Sequence, residues 1–444
     1  MVINLPEKVK YIIDRITEAG YEAYAVGGCV RDSILGREPD DWDITTSARP
    51  HQVKALFRRT VDTGIAHGTV TVMLDRDGYE VTTYRIDGEY EDHRHPREVV
   101  FTSRLVEDLQ RRDFTINAMA YNETAGLVDA FDGMGDIQRG MIRCVGCARE
   151  RFTEDALRIL RALRFSAQLG YEIQEDTVAA IRELAPSLAA ISAERIRTEL
   201  VKLLLSDHPD YLRQAYHMGV TAVILPELDR CMETPQNHPH HCYTVGEHIL
   251  HSLWGVPATQ DLRLAMLLHD IGKPPTLETD SQGITHFHGH PSVSAGMTEK
   301  ILRRLRFDNS TIATVCRLVE FHDYGNNVQP TPVTVRRAMN RIGEDIFARL
   351  LIVKRADIMA QSPYRREEKL KLVNAWDNQY RGIVAKRQCV SLKDLALGGK
   401  DLIAAGMKPG PELGTVLQRM LEHVLETPED NTREKLSEIF LKVT

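Results

Sequence analysis

Gly27-Gly28-Cys29-Val30-Arg31-Asp32, followed by Asp40-Asp41-Trp42-Asp43-Ile44-Thr45-Thr46, is the stretch whose reading decides the fold. The first run follows the apolar segment YEAYAV and reads as a strand, a glycine turn and the opening of a helix. Glycines at such a turn let the backbone approach a ligand, and the helix start offers free N–H groups to phosphate. Arg31 adds a fixed positive charge. The second run reads as a strand over Trp42 to Thr45, which sets Asp41 and Asp43 on one face. Neighbouring carboxylates repel unless a cation lies between them, so the pair suits divalent metal ions bridging a triphosphate and an attacking hydroxyl. Alone, the glycine turn is an ordinary strand-to-helix turn and the D-x-D a solvated acidic turn. Their succession on consecutive strands carries the reading.

Around this stretch, residues 1–140 alternate short β-rich runs (DWDITT, HGTVTVML, YEVTTYR, AGLVDAFDG) with turns, which predicts a mixed sheet with helices against it. From about residue 150 onward, EDALRILRALRFSAQLG and SAERIRTELVKLLLS place apolar residues at helical spacing, and no convincing strand pattern returns. The polar, proline-containing ETPQNHPHH and GNNVQPTP read as linkers. The 444 residues give room for more than one domain, and 43% hydrophobic with 27% charged residues excludes wholesale disorder. The net charge of −7 opposes a nucleic-acid partner only as a sum, because basic residues concentrate locally. Examples are Arg111 and Arg112, then Arg149, Arg151, Arg158, Arg161 and Arg164, and later Arg336, Arg337 and Arg341. Seven scattered cysteines argue for a reducing cytoplasm, and Cys144 and Cys147 lack the second pair that a zinc site needs. No apolar run approaches membrane-spanning length, and the N-terminus reads as an amphipathic helix rather than a signal peptide.

GGCVRD followed by DDWDITT resembles the head domain of the nucleotidyltransferase superfamily that includes DNA polymerase beta. More narrowly, it is similar to the class II tRNA nucleotidyltransferases (CCA-adding enzymes) and the related bacterial poly(A) polymerases. The resemblance implies an α/β head with a polymerase-beta-like mixed sheet over 1–140. A helical neck over 141–225, an HD body over 226–375 and a helical, tRNA-binding tail over 376–444 then follow. It implies Mg²⁺ held by the catalytic carboxylates Asp41 and Asp43, with Gly27, Gly28 and Arg31 on the triphosphate and Glu80 as a candidate third carboxylate. Arg111-Arg112-Asp113-Phe114-Thr115-Ile116-Asn117-Ala118-Met119 matches the family's RRDFTxNAM motif, which implies that Arg112, Asp113 and Asn117 hold the ribose and phosphates of the nucleotide. Glu154-Asp155-Ala156-Leu157-Arg158 matches the EDxxR motif by which the family chooses its nucleotide. On one helix, Asp155 and Arg158 would share a face. A carboxylate accepts from an exocyclic amine and a guanidinium donates to a ring nitrogen, so the pair would take C and A and reject U and G. Each contact is worth roughly 1–3 kcal/mol, on the scale of bidentate base reading. Arg161 and Arg164 continue that arginine-rich face toward the phosphates. The expected partners are tRNA, CTP and ATP, with no protein partner evident. The stretch 89–109 resembles the flexible loop needed for the final A, and TGIAHGTVTVML favours CCA addition over poly(A) synthesis. An A-adding enzyme beside a CC-adding partner stays open.

Further on, His248, His269-Asp270 in LAMLLHDIGKP and Asp357 follow the order H…HD…D of the HD phosphohydrolase domain. That resemblance implies one or two divalent metals, for which imidazole and carboxylate suit Mn, Ni, Fe or Co as well as Mg. His286, His288, His290 and His322-Asp323 lie between these positions. A decayed site whose helices only support RNA is the other reading, and an HD phosphohydrolase with a nucleotide-binding head is the alternative of a different class. In the tail, Gly406, Pro409 and Gly410 break two helices into a hairpin, with Lys400 and Lys408 as candidate phosphate contacts.

Overall fold

The computed structural model describes residues 2–87 and 99–441, so positions 89–98 of the expected flexible loop lie outside the described residues. The chain divides into two compact units, Met1–Pro226 and Glu227–Thr444.

In the first unit, α1 (Glu7–Glu18) buries Val9, Ile12, Ile13 and Ile16, the three- and four-residue spacing that turns one helical stripe inward. The chain continues through β1 (Ala23–Val26), α2 (Gly28–Ile34), β2 (Ile44–Thr46), α3 (Pro50–Leu56), β3 (Thr60–Gly64), β4 (Thr69–Leu74) and β5 (Asp77–Thr83). A small antiparallel pair, β6 (Arg85–Asp87) and β7 (Val99–Phe101), precedes α4 (Leu105–Gln110), β8 (Met119–Asn122) and β9 (Gly126–Asp129). The main sheet is seven-stranded, in the order β3-β4-β5-β2-β1-β8-β9. Within it only β2 and β5 run parallel, so the sheet is mixed, as the sequence predicts, and mostly antiparallel. Alternation explains its inner face: in β4 Val70 and Val72 are fully buried while Thr69, Thr71 and Met73 alternate with them on the other face. They join Ile12, Ile16, Val53 and Val81 in one core, where each buried aliphatic contributes about 1.5–3 kcal/mol.

The first unit then turns helical through α5 (Gly133–Arg139), α6 (Ala148–Glu154), α7 (Leu157–Leu169), α8 (Glu175–Leu184) and α9 (Ala193–Leu204). The expectation that no strand follows the head fails in detail. β10 (Met141–Ile142) pairs in parallel with β11 (Glu172–Ile173), a contact too short to leave a periodic signal.

The second unit is helical apart from one short antiparallel pair, Glu278–Thr279 with Thr285–His286, a second departure from that expectation. Val245–Ser252, Gln260–Leu268, His290–Arg304, Asn309–Phe321 and Glu344–Ala360 carry its central side chains. The expected tail hairpin is present, with Gly399–Ala404 and Pro411–Glu426 separated by a break in which Gly406 has φ +99°. Leu402, Met420, Val424 and Leu436 form its core, while Lys400 and Lys408 are exposed. Among the described residues no helix is long and apolar enough to cross a membrane.

Candidate active site and a second histidine–aspartate centre

The carboxylates of the head stand where β2 begins. The strand starts at Ile44 rather than at Trp42, because the ladder with β1 first closes there. The extended path nonetheless reaches back one residue: Val26 N–H donates to Asp43 O at 3.0 Å. Trp42 packs on the head core, and Asp41 and Asp43 project on the solvent side. Surrounding protein raises the Asp43 pKa, Arg112 opposes that rise and Asp41 adds to it. Glu80 of β5, opposite Thr71, is also raised, first by desolvation and then by Asp43 and Asp41. Asp41 and Asp43 lie near enough to Glu80 for their charges to oppose its ionisation, an arrangement that a cation among them would relieve.

Positive charge arrives from the RRDFTINAM segment. Thr45 Oγ1 donates to buried Asp108 Oδ2 at 3.0 Å. Asp108 in turn holds Arg111 at 2.8 Å and faces Arg112 at 3.8 Å. Arg112 Nε is buried and has no hydrogen-bond partner. Gly27 explains how Arg112 fits: with φ +87°, a Cβ there would lie 2.9 Å from Arg112 Nη1. Gly28 opens α2 beside it, and Gly27 N–H donates to Met119 O at 3.1 Å.

A continuous polar chain then links α2 to α7. Arg31 is buried and donates to Asp32 at 2.8–2.9 Å and, through Nη1, to Asn117 Oδ1 at 2.6 Å. Asn117 Nδ2 donates to Asp113 Oδ1 at 3.2 Å, and Arg161 Nε donates to Asp113 Oδ2 at 2.7 Å. Burial pushes the Asp113 pKa up, but Arg161, Arg158 and the hydrogen bonds prevail and hold it at about 2. The guanidinium groups of Arg31, Arg161 and Arg164 lie 4.9, 5.3 and 4.0 Å from the centre of the Phe165 ring. Arg164 is buried against Glu199 of α9, with Nε 2.6 Å from Oε2. Its burial lowers its pKa to about 10 against the opposing pull of Glu199.

The EDxxR segment corrects the expectation of one helical face. α6 ends at Glu154, and Asp155 has φ −143° and ψ 103°, outside any helix. Asp155 Oδ1 accepts from Leu157 N–H at 3.0 Å, a local cap that competes with helix continuation. Asp155 Oδ2 accepts from Arg195 of α9 at 2.7 Å. Arg158 donates instead to Glu154 Oε2 at 2.5 Å and to the carbonyls of Arg151 and Arg111, each at 3.1 Å. The expected readers thus share a segment, but each has its own partner. Asp108, Arg195 and Glu199 were not singled out from sequence: Arg195 and Glu199 act through partners far away along the chain, and Asp108 joins its neighbours Arg111 and Arg112 to the distant Thr45.

In the second unit, His248, His269, Asp270 and Asp357 converge as the H…HD…D order predicts. His248 Nε2 lies 3.2 Å from His269 Nε2 and 2.9 Å from Asp357 Oδ1. Asp270 Oδ2 lies 3.4 and 3.3 Å from those same ring nitrogens. His290 and His322, named only in passing from sequence, stand on the other side of Asp270, with Nε2 atoms 3.2 and 3.6 Å from Oδ1. His269, His290 and His322 turn Nδ1 toward the carbonyls of Met266, Phe287 and Val319 at 2.8, 2.9 and 2.7 Å. That outer bond fixes each ring and leaves Nε2 facing inward. Both Asp270 oxygens are buried without a properly oriented hydrogen-bond donor, although Lys273 Nζ lies 2.7 Å from Oδ2. Lys273 also donates to Gln236 at 3.0 Å, so ETPQNHPHH, expected as a linker, is a packed wall of this centre. His238, His240 and His241 from that wall line a cavity of about 220 Å³ over the cluster.

A mixed sheet bearing paired carboxylates beside a glycine turn defines a nucleotidyltransferase head, and comparison with known proteins agrees. Residues 23–143 match the Poly A polymerase head domain and residues 170–232 the "Probable RNA and SrmB- binding site of polymerase A". Residues 276–440 match tRNA nucleotidyltransferase domain 2. The CCA-adding enzyme of Lactiplantibacillus plantarum is 35% identical over 97% of this chain and 94% of its own length. That of Limosilactobacillus fermentum is 36% identical over 95% and 92%. The chain belongs to the family of CCA-adding enzymes. Among solved structures, the Bacillus stearothermophilus CCA-adding enzyme in complex with CTP superposes with a TM-score of 0.76 at 30% identity, covering 97% of this chain and 95% of that one. The Thermotoga maritima CCA-adding enzyme complexed with tRNA shares the fold, with a TM-score of 0.56 at 20% identity over 99% and 97%.

Proposed function

We propose that the chain adds C, C and A in turn to the 3′ end of tRNA, taking them from CTP and ATP. The observation that carries this reading is the grouping of Asp41, Asp43 and Glu80, in which burial first, and then the neighbouring carboxylates, raise Asp43 and Glu80, beside an Arg112 whose Nε has no hydrogen-bond partner. Asp41 and Asp43 would hold Mg²⁺, which when bound makes the attacking hydroxyl more acidic and neutralises the leaving pyrophosphate. The tRNA 3′ oxygen attacks the α-phosphorus and the bond to pyrophosphate breaks. Arg112, beside the carboxylates, neutralises phosphate charge. The chain Arg31–Asn117–Asp113–Arg161 holds the nucleotide's sugar and phosphates against α2 and α7. Asp155 accepts from the base's exocyclic amine and Arg158 donates to its ring nitrogen, each from its separately held position. We place the reaction in the cytoplasm, supported by cysteines that are all free.

The test uses purified chain, Mg²⁺ and tRNA substrates ending at the discriminator base, at C or at CC, given CTP and ATP singly and together. Growth of the shortest substrate to CCA and no further is expected. Addition of A alone to the CC-ending substrate would mark an A-adding enzyme, and a long A tract a poly(A) polymerase. Asp41→Ala is expected to abolish transfer while the fold persists.

A second reading concerns the other unit, where inward-facing imidazoles surround the buried carboxylate of Asp270. We propose that His248, His269, Asp270 and Asp357 hold a divalent ion of the Mg, Mn, Ni, Fe or Co kind, as in HD phosphohydrolases, and that the cavity above admits a phosphate ester. Metal analysis of the Asp41→Ala/Asp43→Ala protein tests it. Bound transition metal that His269→Ala/Asp270→Ala removes is expected, and no bound metal would refute it.

A further inference from the structure

We infer that the outer face of the head, between α1 and the turn from α3 into β3, is a binding groove for a single strand of RNA, separate from the carboxylate edge. The groove has a volume of about 940 Å³, and Tyr11, Arg15, Phe57, Arg58 and Arg59 give it its chemistry. Tyr11 and Arg15 stand one turn apart on the face of α1 turned away from the core. Phe57 ends α3 with φ −122° and ψ 139°, which carries Arg58 and Arg59 on in extended chain. The Arg59 carbonyl accepts from Met73 N–H of β4 at 3.0 Å, so this stretch is fastened to the sheet. The Tyr11 and Phe57 rings meet edge to face with centres 6.4 Å apart, Phe57 buried and Tyr11 52% exposed.

Arg15, Arg58 and Arg59 are exposed, and among the described residues none of them pairs with a carboxylate. A guanidinium keeps its charge at any physiological pH and offers several donors to phosphate oxygens. Of the carboxylates at the groove, Asp75 is taken up by Lys8 at 2.9 Å, and Glu7 sits in the first turn of α1, where the helix dipole favours it. The groove is therefore positive on a chain whose net charge is −7. Uncompensated cations beside a half-exposed aromatic ring match a nucleic-acid strand: phosphates take the arginines and a base stacks on the ring. A base must be unpaired to stack, which selects a single strand, and the choice of RNA rests on the proposed action on tRNA. The groove is no extension of the nucleotide site. In β5, Val81 packs in the core with Ile12 of α1 and Val53 of α3, while Glu80, one residue back, takes the other face of the sheet. The sheet thus separates the helices that frame the groove from the carboxylates.

The experiment titrates the full chain, without Mg²⁺ or nucleoside triphosphates, into a 5′-fluorescein hexa-adenylate whose 3′ end carries a phosphate and cannot be extended. Anisotropy is read across a range of salt. The triple variant Arg15→Gln/Arg58→Gln/Arg59→Gln is expected to flatten the slope of log K against log salt by about 2, three phosphate contacts at roughly 0.7 each. Tyr11→Ala is expected to weaken binding about tenfold with the slope unchanged, within the range for one base–aromatic stack. Tyr11→Phe keeps the ring and is expected to bind as wild type does, which keeps the test decisive should the Ala variant fail to fold. Arg112→Ala is expected to bind the hexamer as wild type does, and the groove variants are expected to extend saturating tRNA at the wild-type rate. An unchanged slope in the triple variant overturns the inference. So does a loss in Arg112→Ala as large as that in the triple variant, which would place the strand at the carboxylates. AMP bound at the groove as tightly as the hexamer would make the ligand a single nucleotide, and overturns it too. Wild type that binds the hexamer through the groove but never extends tRNA refutes the proposed function alone.

Discussion

Asp113→Asn offers a quantitative test of the polar chain that organises the active site. Asp113 is 8% exposed, accepts from Phe114 N–H and Asn117, and pairs with Arg161 at 2.6 Å. Its pKa falls from the ordinary 3.8 to about 2 in the folded protein. At about 1.4 kcal/mol for each pH unit, that depression corresponds to roughly 2–3 kcal/mol of stability at neutral pH. The sign follows from the direction. The folded state prefers the carboxylate, so the contribution is fully present above pH 4 and is lost as pH falls from about 4 toward 2. The amide of Asn cannot replace the charge and turns a donor toward Arg161, so its cost at pH 7 is expected to be about 2–3 kcal/mol. Hydrogen exchange read by mass spectrometry on peptides of α4 and α7 measures the local unfolding free energy. The difference between wild type and variant is expected to be flat from pH 7 to about 4 and to shrink below. A difference under about 0.5 kcal/mol, or one that already fades between pH 7 and 5, would refute the assignment of the stabilisation to this carboxylate.

Gly27→Ala forces a side chain into φ +87°, ψ −131° and sets its Cβ 2.9 Å from Arg112 Nη1. The strain costs about 1–3 kcal/mol, so a lower Tm is expected by differential scanning calorimetry, together with a higher KM for CTP as Arg112 shifts. Asp43→Asn relieves repulsion among Asp41, Asp43 and Glu80, so urea unfolding without metal is expected to show unchanged or slightly higher stability while transfer disappears. Leu402→Ala opens a cavity in the tail core and is expected to cost about 2–5 kcal/mol there, seen by hydrogen exchange in 395–436 with head protection unchanged.

Much of this protein was legible in order along the chain. Period-two alternation marked the strands of the head, three- and four-residue spacing marked the helices after it, and glycines with paired carboxylates marked the edge proposed as catalytic. These signals are local: they depend on which face a side chain takes within its own element. The RRDFTINAM and HDIGKP stretches stood out as candidates in the same way, because their polar residues stand on short runs and recur in a recognisable order. What only the tertiary structure decided are pairings between elements. The carboxylate of Asp113 meets Arg161 forty-eight residues away, and Arg31 meets Asn117 across eighty-six. The helix expected through Asp155 and Arg158 breaks because Asp155 caps the following turn and gains a second anchor from α9. A segment that reads as a linker, ETPQNHPHH, becomes a wall of the histidine centre because Gln236 finds Lys273. Each outcome follows from burying charged groups. A buried charge must find an opposite charge or a hydrogen bond, and the fold alone determines which ones come within reach.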